Sequence, residues 1–176
     1  CVIESARYFD EEALDAIARI LAAGAEQFEP ALLMGLGREQ PRTVHLCALA
    51  LAMARRVEAL PTLFVRMHDT QLSAQVPLRD IAAHYGKSAI PALFEAIQER
   101  GPTDPLVEVL ALISVEHGPD IIAALRQNPG ASLLDAAQKM TLVRRRLKER
   151  VIRSFADDDE HGPPDGEESE SGEGDS

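Results

Sequence analysis

Histidine and carboxylate residues are the side chains of this sequence that could perform acid–base or metal chemistry. No two of the five histidines are three or four residues apart, the spacing that would bring two imidazoles of a helix to one metal ion. They are His45, His68, His84, His117 and His161. Glu116 and His117 are neighbours, but consecutive residues on a helix point about 100° apart and do not face each other. We therefore predict no catalytic residue, no metal site and no cofactor.

Motifs of nucleotide-binding and hydrolytic enzymes are missing from the sequence. It contains no GxxxxGK[ST], HExxH, GxSxG or CxxC pattern. Gly35 and Gly37 follow no strand, so we interpret them as a helix end and not as a dinucleotide fingerprint. Cys47 lies within the apolar run LCALALAMA, where a buried thiol behaves as a small hydrophobe. Two cysteines cannot form a framework of disulfides, which favours a reducing compartment.

Charge is distributed unevenly along the chain. Of 176 residues, 18 are Lys or Arg and 29 are Asp or Glu, and the net charge is −11. The segment from Asp157 to the last residue contains ten of those acids and no Lys or Arg, so the preceding part of the chain is close to neutral. The segment 156–176 has no aliphatic residue larger than Ala, and we predict that it is a disordered acidic tail.

A basic segment, residues 131–155, precedes the acidic tail. Its basic patch consists of Arg144, Arg145, Arg146, Lys148 and Arg150. Such a helix could contact nucleic acid, an anionic membrane or an acidic protein, but we favour a solvated face on a helix that caps the fold. Its capping stripe would consist of Leu133, Leu134, Ala137, Met140, Leu147, Val151 and Phe155. The tethered acidic tail would then compete with any acidic ligand, an electrostatic autoinhibition that added salt should weaken.

An internal repeat dominates the rest of the sequence. The segments Val57–Met67 and Lys87–Ile97 superpose at an offset of 30 residues. Both place apolar residues at i, i+3, i+4 and i+7, which is one stripe of a helix. The matching stripes are Leu60, Leu63, Phe64 and Met67, and Ile90, Leu93, Phe94 and Ile97. A second set of columns recurs at offsets of 31, 30 and 32, and comprises Ile17, Ala48, Leu78 and Leu110, and Ile20, Leu51, Ile81 and Ile113.

Two independent stripes with shared offsets indicate that each unit is a pair of short antiparallel helices, which we name the first and the second helix. Gly, Pro or polar residues at GREQPR, ERGPTDP, HGPD and NPGAS separate the helices. We predict an all-α, right-handed α-solenoid of about four helix pairs over residues 1–130. Residues 131–155 then form the basic capping helix. Leu63, Phe64, Leu93, Phe94, Leu51 and Ile81 should be buried between the layers.

The chain resembles the HEAT repeat family, in particular its short bacterial repeats related to those of phycobilin lyases. The resemblance covers about residues 9–127 and depends on Ala59-Leu60-Pro61, Ala89-Ile90-Pro91 and the segment 81–86. Leu78-Arg79 is similar to the Val-Arg pair of the family, whereas Val107-Glu108 reverses the charge. The resemblance implies either a scaffold for other proteins or an enzyme, or enzyme accessory, of the phycobilin lyase-related kind.

One face of the second helices is too apolar for a solvated surface. It comprises Leu46, Met53, Val76, Asp80, Leu112 and Val115. In a solenoid this face would form a shallow groove, and we expect it to bind a partner helix or an extended peptide. The alternative is that twist, an upstream unit or the last helix of the chain covers it. We expect no nucleic-acid partner, because residues 1–138 carry 11 bases against 18 acids. A non-enzymatic protein-interaction scaffold is the favoured function.

The first residue of the chain is Cys1, and two interpretations fit this start. A step of 31 residues back from Leu32 and Leu33 reaches Cys1 and Val2, so the chain fits the C-terminal part of a longer repeat protein. Alternatively, Cys1 is the lipidated residue of a lipoprotein. The longest apolar run, Leu46–Ala54, has nine residues, far fewer than the roughly 18 needed to span a membrane. We expect a cytoplasmic protein.

Overall fold

A computed structural model describes residues 3, 5, 6 and 10–159, except for the side chains of 147 and 150–159. The described residues contain helices and turns but no strand, so the predicted all-α class is confirmed. The helices are α1 (Glu11–Ala23), α2 (Ala25–Leu36), α3 (Pro41–Met53), α4 (Leu60–Arg66), α5 (Thr70–Ser73), α6 (Leu78–Ala83), α7 (Ile90–Arg100), α8 (Asp104–Gln127) and α9 (Ala131–Asp159). Short 3₁₀ segments, Val57–Ala59 and Gly86–Ala89, precede α4 and α7.

Caps and prolines explain where several helices begin. The carboxylate of Asp10 accepts a 2.8 Å hydrogen bond from the main-chain N–H of Ala13, and Asp69 caps α5 in the same way. Prolines occupy the first turn of four helices, where a missing N–H costs no hydrogen bond. They are Pro41 in α3, Pro61 in α4, Pro91 in α7 and Pro105 in α8.

Chain reversals follow the spacing of the repeat. Gly24, Arg55, Tyr85 and His117 are separated by 31, 30 and 32 residues, and each marks the end of a helical segment. The first three follow or cap α1, α3 and α6. At His117 we expected a break between helices, but α8 continues across it with a kink (φ −115°, ψ 27°). The part of α8 before His117 therefore corresponds to a second helix and the part after it to a first helix.

Helix packing follows the order of the repeats. The second helices α1, α3, α6 and α8 contact one another consecutively, α1 with α3, α3 with α6, and α6 with α8. Each later second helix also contacts the first helix of its own pair, so that α2 lies against α3, α4 against α6 and α7 against α8. The first helices α4 and α7 contact each other as well. This arrangement builds two layers of helices.

The core between the layers consists mainly of aliphatic and small side chains. All six residues predicted to be buried there have an exposed fraction of 5% or less, which confirms that they are core residues, whereas Ile20 of the second column is 70% exposed. The α2–α3 contact is especially close, because a Cβ placed on Gly35 would lie 2.3 Å from the Cys47 Sγ. Gly35 lies in the last turn of α2 and Gly37 is the C-cap, so the helix end predicted at these two glycines is confirmed, and Gly35 is in addition a close contact point between two helices.

Helix α9 covers the C-terminal end of the core with a stripe that differs in part from the predicted one. Leu133 and Ala136 are fully buried, and Met140 and Val143 pack against the core. Leu134, which we placed in the stripe, is 57% exposed because it lies on the opposite side of the helix from Ala136. The side chains of Leu147, Val151 and Phe155 lie outside the described part of the chain.

The chain divides into two compact units, residues 1–144 and 145–176. In the second unit α9 continues to Asp159, four residues beyond the predicted helix end at 155, since no Gly or Pro interrupts the sequence before Gly162. The rest of the predicted acidic tail, 160–176, lies outside the described residues. Within the described part of the chain, no helix has the length and hydropathy needed to cross a membrane.

Candidate partner-binding site

The six residues of the predicted binding face are not equally accessible. Leu46 is 0% exposed and Val76 is 2% exposed, so neither could contact a partner, and their prediction as binding residues is wrong. Leu46 lies on α3, which packs against α1, α2 and α6, and Val76 lies in the turn before α6; both side chains belong to the main hydrophobic cluster. Asp80 is exposed, Val115 is 68% exposed, and Met53 and Leu112 are half-buried.

A cleft, which we name the turn cleft, contains two of the accessible residues, Asp80 and Leu112. It has a volume of about 360 Å³ and lies where the ends of α3 and α6 meet the kink of α8. Its lining residues are Arg55, Asp80, Ala83, His84, Gly86, Leu112, Ile113, Glu116 and His117. The cleft therefore combines an apolar wall with charged and imidazole groups from three helical segments.

Arg55 and His117 approach each other at Gly86. The Arg55 Nη1 donates a 3.1 Å hydrogen bond to the carbonyl oxygen of Tyr85. A Cβ on Gly86 would lie 2.9 Å from the His117 Nε2 and 3.9 Å from the Arg55 Nη1. Gly86 also has φ +58°, a conformation that other residues rarely adopt. The cleft thus requires glycine at this position for two separate reasons.

Glu116 and His117 are closer than the sequence predicted. Because His117 leaves helical geometry, its Nε2 lies 4.0 Å from the Glu116 Oε2, and its Nδ1 lies 3.5 Å from the Asp120 Oδ2. The imidazole therefore has a carboxylate near each ring nitrogen. The cleft thus offers carboxylates, imidazoles and one guanidinium, which can hydrogen-bond polar groups of a ligand. Among the described residues, no three His, Cys, Asp or Glu side chains converge on a metal-binding position.

An ion pair joins two consecutive second helices. The Arg79 Nη1 contacts the Glu108 Oε2 between α6 and α8. The reversal of charge between Leu78-Arg79 and Val107-Glu108 therefore places opposite charges in contact. The sequence showed the reversal of charge but we did not predict the ion pair from it. Opposite charges at neighbouring positions of successive repeats were the signal that could have predicted it.

Burial shifts the pKa of three titratable groups in the direction that favours the uncharged form. Tyr85 is fully buried, its hydroxyl has no hydrogen-bond partner, and burial together with the nearby Glu58 carboxylate raises its pKa. Burial likewise raises the pKa of the Cys47 thiol to about 12. Burial lowers the pKa of His45, with the Glu11 carboxylate opposing this effect in part. These groups belong to the packing of the fold and do not line the turn cleft.

Other clefts lie at the opposite ends of the helices. One of them, about 630 Å³, is polar and includes Arg66 and Asp69. The Arg66 Nη2 donates to the carbonyl oxygen of Arg38 at 2.8 Å and its Nη1 lies 3.8 Å from the Asp69 Oδ2. Another, about 550 Å³, lies at the α2–α3 connection and includes Ile3 and Met34. The charges of Arg66 are thus already engaged within the fold.

The predicted basic patch is solvent-exposed where its side chains are described. Arg144 is exposed at the end of the first unit, and Arg145, Arg146 and Lys148 are exposed in the second. The Arg145 Nε lies 3.0 Å from the Glu149 Oε1, an ion pair four residues apart. The side chain of Arg150 lies outside the described part. This exposure agrees with a solvated face.

No protein-family model matches the chain, and no curated protein or solved structure shows a significant match to it. The geometry of the described residues is therefore the basis for the functional proposal.

Proposed function

We propose that this protein is a non-enzymatic interaction scaffold built as a right-handed, HEAT-like α-solenoid. The turn cleft, together with Met53 and Val115, is the surface that binds a protein partner. The observation that carries this proposal is the position of Val115, an aliphatic side chain 68% exposed on the same helix as the cleft residues Leu112 and Glu116. Large exposed aliphatic side chains beside an apolar cleft wall are typical of binding surfaces.

The consecutive contacts of α1, α3, α6 and α8 support the solenoid part of the proposal. In such an array each repeat contributes side chains to one continuous surface, because equivalent residues of successive repeats lie side by side. The turn cleft draws its residues from three successive repeats in this way. A partner segment that crosses the second helices would contact all three.

The chemistry of the turn cleft indicates what kind of segment it accepts. Leu112 and Val115 offer an apolar contact, Arg55 offers a positive charge, and Asp80 and Glu116 offer negative charges. A helix or extended peptide with an aliphatic anchor flanked by an acidic and a basic residue would satisfy all of these groups. The anchor would supply most of the affinity and the charges would fix the orientation.

Selection of binding peptides from a displayed random library tests the proposal. We expect selected peptides to bind the wild-type chain and to lose at least about tenfold in affinity toward Leu112→Glu and Val115→Glu, since each change places a charge on the apolar contact. Val65→Glu is the matched control, because Val65 is 46% exposed on α4, away from the cleft. Circular dichroism should be unchanged in all three variants. Equal binding to all three would refute the site.

A further inference from the structure

His68 and Thr103 form a hydrogen-bonded pair outside the turn cleft. The His68 Nε2 lies 3.0 Å from the Thr103 Oγ1, although the two residues are 35 positions apart in the sequence. His68 follows α4, and Thr103 is the residue directly before α8. The pair could not be predicted from the sequence, because only the packing of the helices brings these two segments together.

A main-chain carbonyl fixes the direction of this hydrogen bond. The His68 Nδ1 lies 2.9 Å from the carbonyl oxygen of Phe64. A carbonyl oxygen only accepts hydrogen bonds, so in the neutral imidazole Nδ1 carries the proton and Nε2 carries a lone pair. The Thr103 hydroxyl is then the donor and the His68 Nε2 is the acceptor. A hydroxyl that donates to an imidazole, itself oriented by a third group, is the arrangement that activates Ser and Thr nucleophiles.

The position of Thr103 in the fold makes this use of its hydroxyl unusual. Thr103 is the N-cap residue of α8, and an N-cap Thr normally accepts a hydrogen bond from a main-chain N–H of the first turn. Asp10 and Asp69 form such bonds at α1 and α5, whereas the Thr103 side chain does not cap α8. The hydroxyl is therefore directed to His68 and not to the helix.

A cleft beside the imidazole, which we name the His68 cleft, determines which groups could reach the hydroxyl. It has a volume of about 360 Å³ and is lined by Met67, His68, Thr70, Ser73, Ala74, Arg79 and Pro105. Met67, Ala74 and Pro105 give it an apolar wall. His68 is exposed and Thr103 is partly exposed, so a small reagent can reach both side chains.

An acyl group suits this site better than a phosphoryl group. Asp104, the residue after Thr103, is exposed and repels the negative charges of a phosphoryl donor. Arg79, the base that lines the cleft, already pairs with Glu108. An acyl chain is uncharged, and contact with the apolar wall removes part of its surface from water.

From this geometry we infer that Thr103 is an acyl-acceptor site, esterified by a thioester or an activated ester. The Thr103 Oγ1 attacks the carbonyl carbon of the donor, a new C–O bond forms, and the bond from that carbon to the leaving sulfur or oxygen breaks. The His68 Nε2 accepts the hydroxyl proton during the attack and passes it to the leaving group. Thr103 reacts once per molecule, as a modification of the scaffold. None of these residues lines the turn cleft, so the inference is independent of the proposed partner site.

Reaction of the full chain with p-nitrophenyl butyrate, followed by peptide mapping with mass spectrometry, tests the inference. We expect the butyryl adduct to form on Thr103 at least about tenfold faster than on Thr70, because general-base assistance accelerates the attack. Thr70 is the internal control, since it lines the same cleft and is more exposed than Thr103. The readout is the mapped adduct and not the release of p-nitrophenol, because exposed imidazoles elsewhere also promote that release.

Three variants separate activation by His68 from simple exposure of the hydroxyl. His68→Gln removes the base and should lower the rate at Thr103 to about that at Thr70. His84→Gln removes an exposed imidazole elsewhere and should leave the rate at Thr103 unchanged. Thr103→Ser keeps a hydroxyl at this position and should form the adduct at least as fast as the wild-type chain. Circular dichroism should match the wild-type spectrum in all three variants. Equal rates at Thr103 and Thr70 in the wild-type chain would overturn the inference, and so would an unchanged rate at Thr103 in His68→Gln.

Discussion

The guanidinium of Arg55 donates a 3.1 Å hydrogen bond to the carbonyl oxygen of Tyr85, the residue that occupies its equivalent position one repeat later. The next equivalent residue, His117, lies against Gly86, the neighbour of Tyr85. The turns at Arg55 and at Tyr85-Gly86 and the kink at His117 are therefore in contact along one edge of the fold. This edge forms the turn cleft, so the rigidity of the cleft depends on contacts between turns and not only on helix packing.

Gly86→Ala should destabilise the fold by about 2 kcal/mol or more. The new Cβ would meet the His117 imidazole at 2.9 Å, and φ +58° would strain any L-residue. Gly118→Ala is the matched control, because a Cβ there has no neighbour within 4 Å and its φ is not positive. That change should be neutral or stabilising by up to about 1 kcal/mol. Urea unfolding measures both, and equal free energies of unfolding would contradict the geometry of the turn cleft.

Hydrophobic periodicity was sufficient to predict the helix pairs and their core, because residues such as Leu51 and Ile81 repeat at nearly constant offsets. The binding face was predicted less well. Rotation of 100° per residue placed Leu46 on an outer face, but a neighbouring helix covers that side chain, and a single helix contains no information about its neighbours. The approach of Arg55 and His117 also escaped prediction, because it depends on a kink that departs from helical geometry.

Phe94→Ala should lower the free energy of unfolding by about 3 to 5 kcal/mol. Phe94 is 5% exposed on α7 within the main hydrophobic cluster, so truncation leaves a cavity that the surrounding helices can fill only in part. Glu95→Ala at the next, exposed position should change the free energy by no more than about 0.5 kcal/mol. Chemical denaturation of both variants provides the measurement. A loss below about 1 kcal/mol for Phe94→Ala would show that the column assignment is wrong.

Tyr85→Phe should stabilise the fold by about 1 kcal/mol at neutral pH, because it removes a buried hydroxyl that has no hydrogen-bond partner. The variant should also resist alkaline unfolding better. Folding raises the pKa of Tyr85 above its ordinary value of 10.0. Below pH 10 the hydroxyl is neutral in both the folded and the unfolded chain. As pH rises above 10, the unfolded chain releases a proton that the folded chain keeps, so the free energy of unfolding of the wild-type chain decreases. Denaturant titrations at pH 8 and above pH 10 test both effects. A destabilised variant at pH 8 would indicate that the hydroxyl has a partner.

Deletion of 157–176 should increase binding to heparin at low ionic strength. The deletion removes ten acids tethered to the exposed bases Arg145, Arg146 and Lys148, so an external polyanion no longer competes with them. The gain in affinity should shrink as salt rises, because screening weakens the attraction of the basic residues both to the tail and to heparin. Equal binding of heparin by the truncated and full chains across the salt series would show that the tail does not compete for the basic residues and serves only solubility.

Acidification below pH 6.5 should destabilise the wild-type chain more than the His45→Gln variant. His45 is half-buried on α3, and burial holds its pKa below the ordinary value of 6.5. Near pH 7 and above, His45 is mostly neutral in both folded and unfolded chains. As pH falls below 6.5, the unfolded chain binds a proton that the folded chain resists, so the free energy of unfolding decreases. Glutamine cannot bind that proton, and the variant should therefore lose less stability over the same interval.

Urea unfolding at pH 8.0, 7.0, 6.0 and 5.5 provides the comparison and stops above the range in which most carboxylates titrate. His84→Gln is the matched control for removal of an imidazole, because His84 is exposed. Identical losses in the wild-type chain and His45→Gln would show that His45 is not held neutral by the fold.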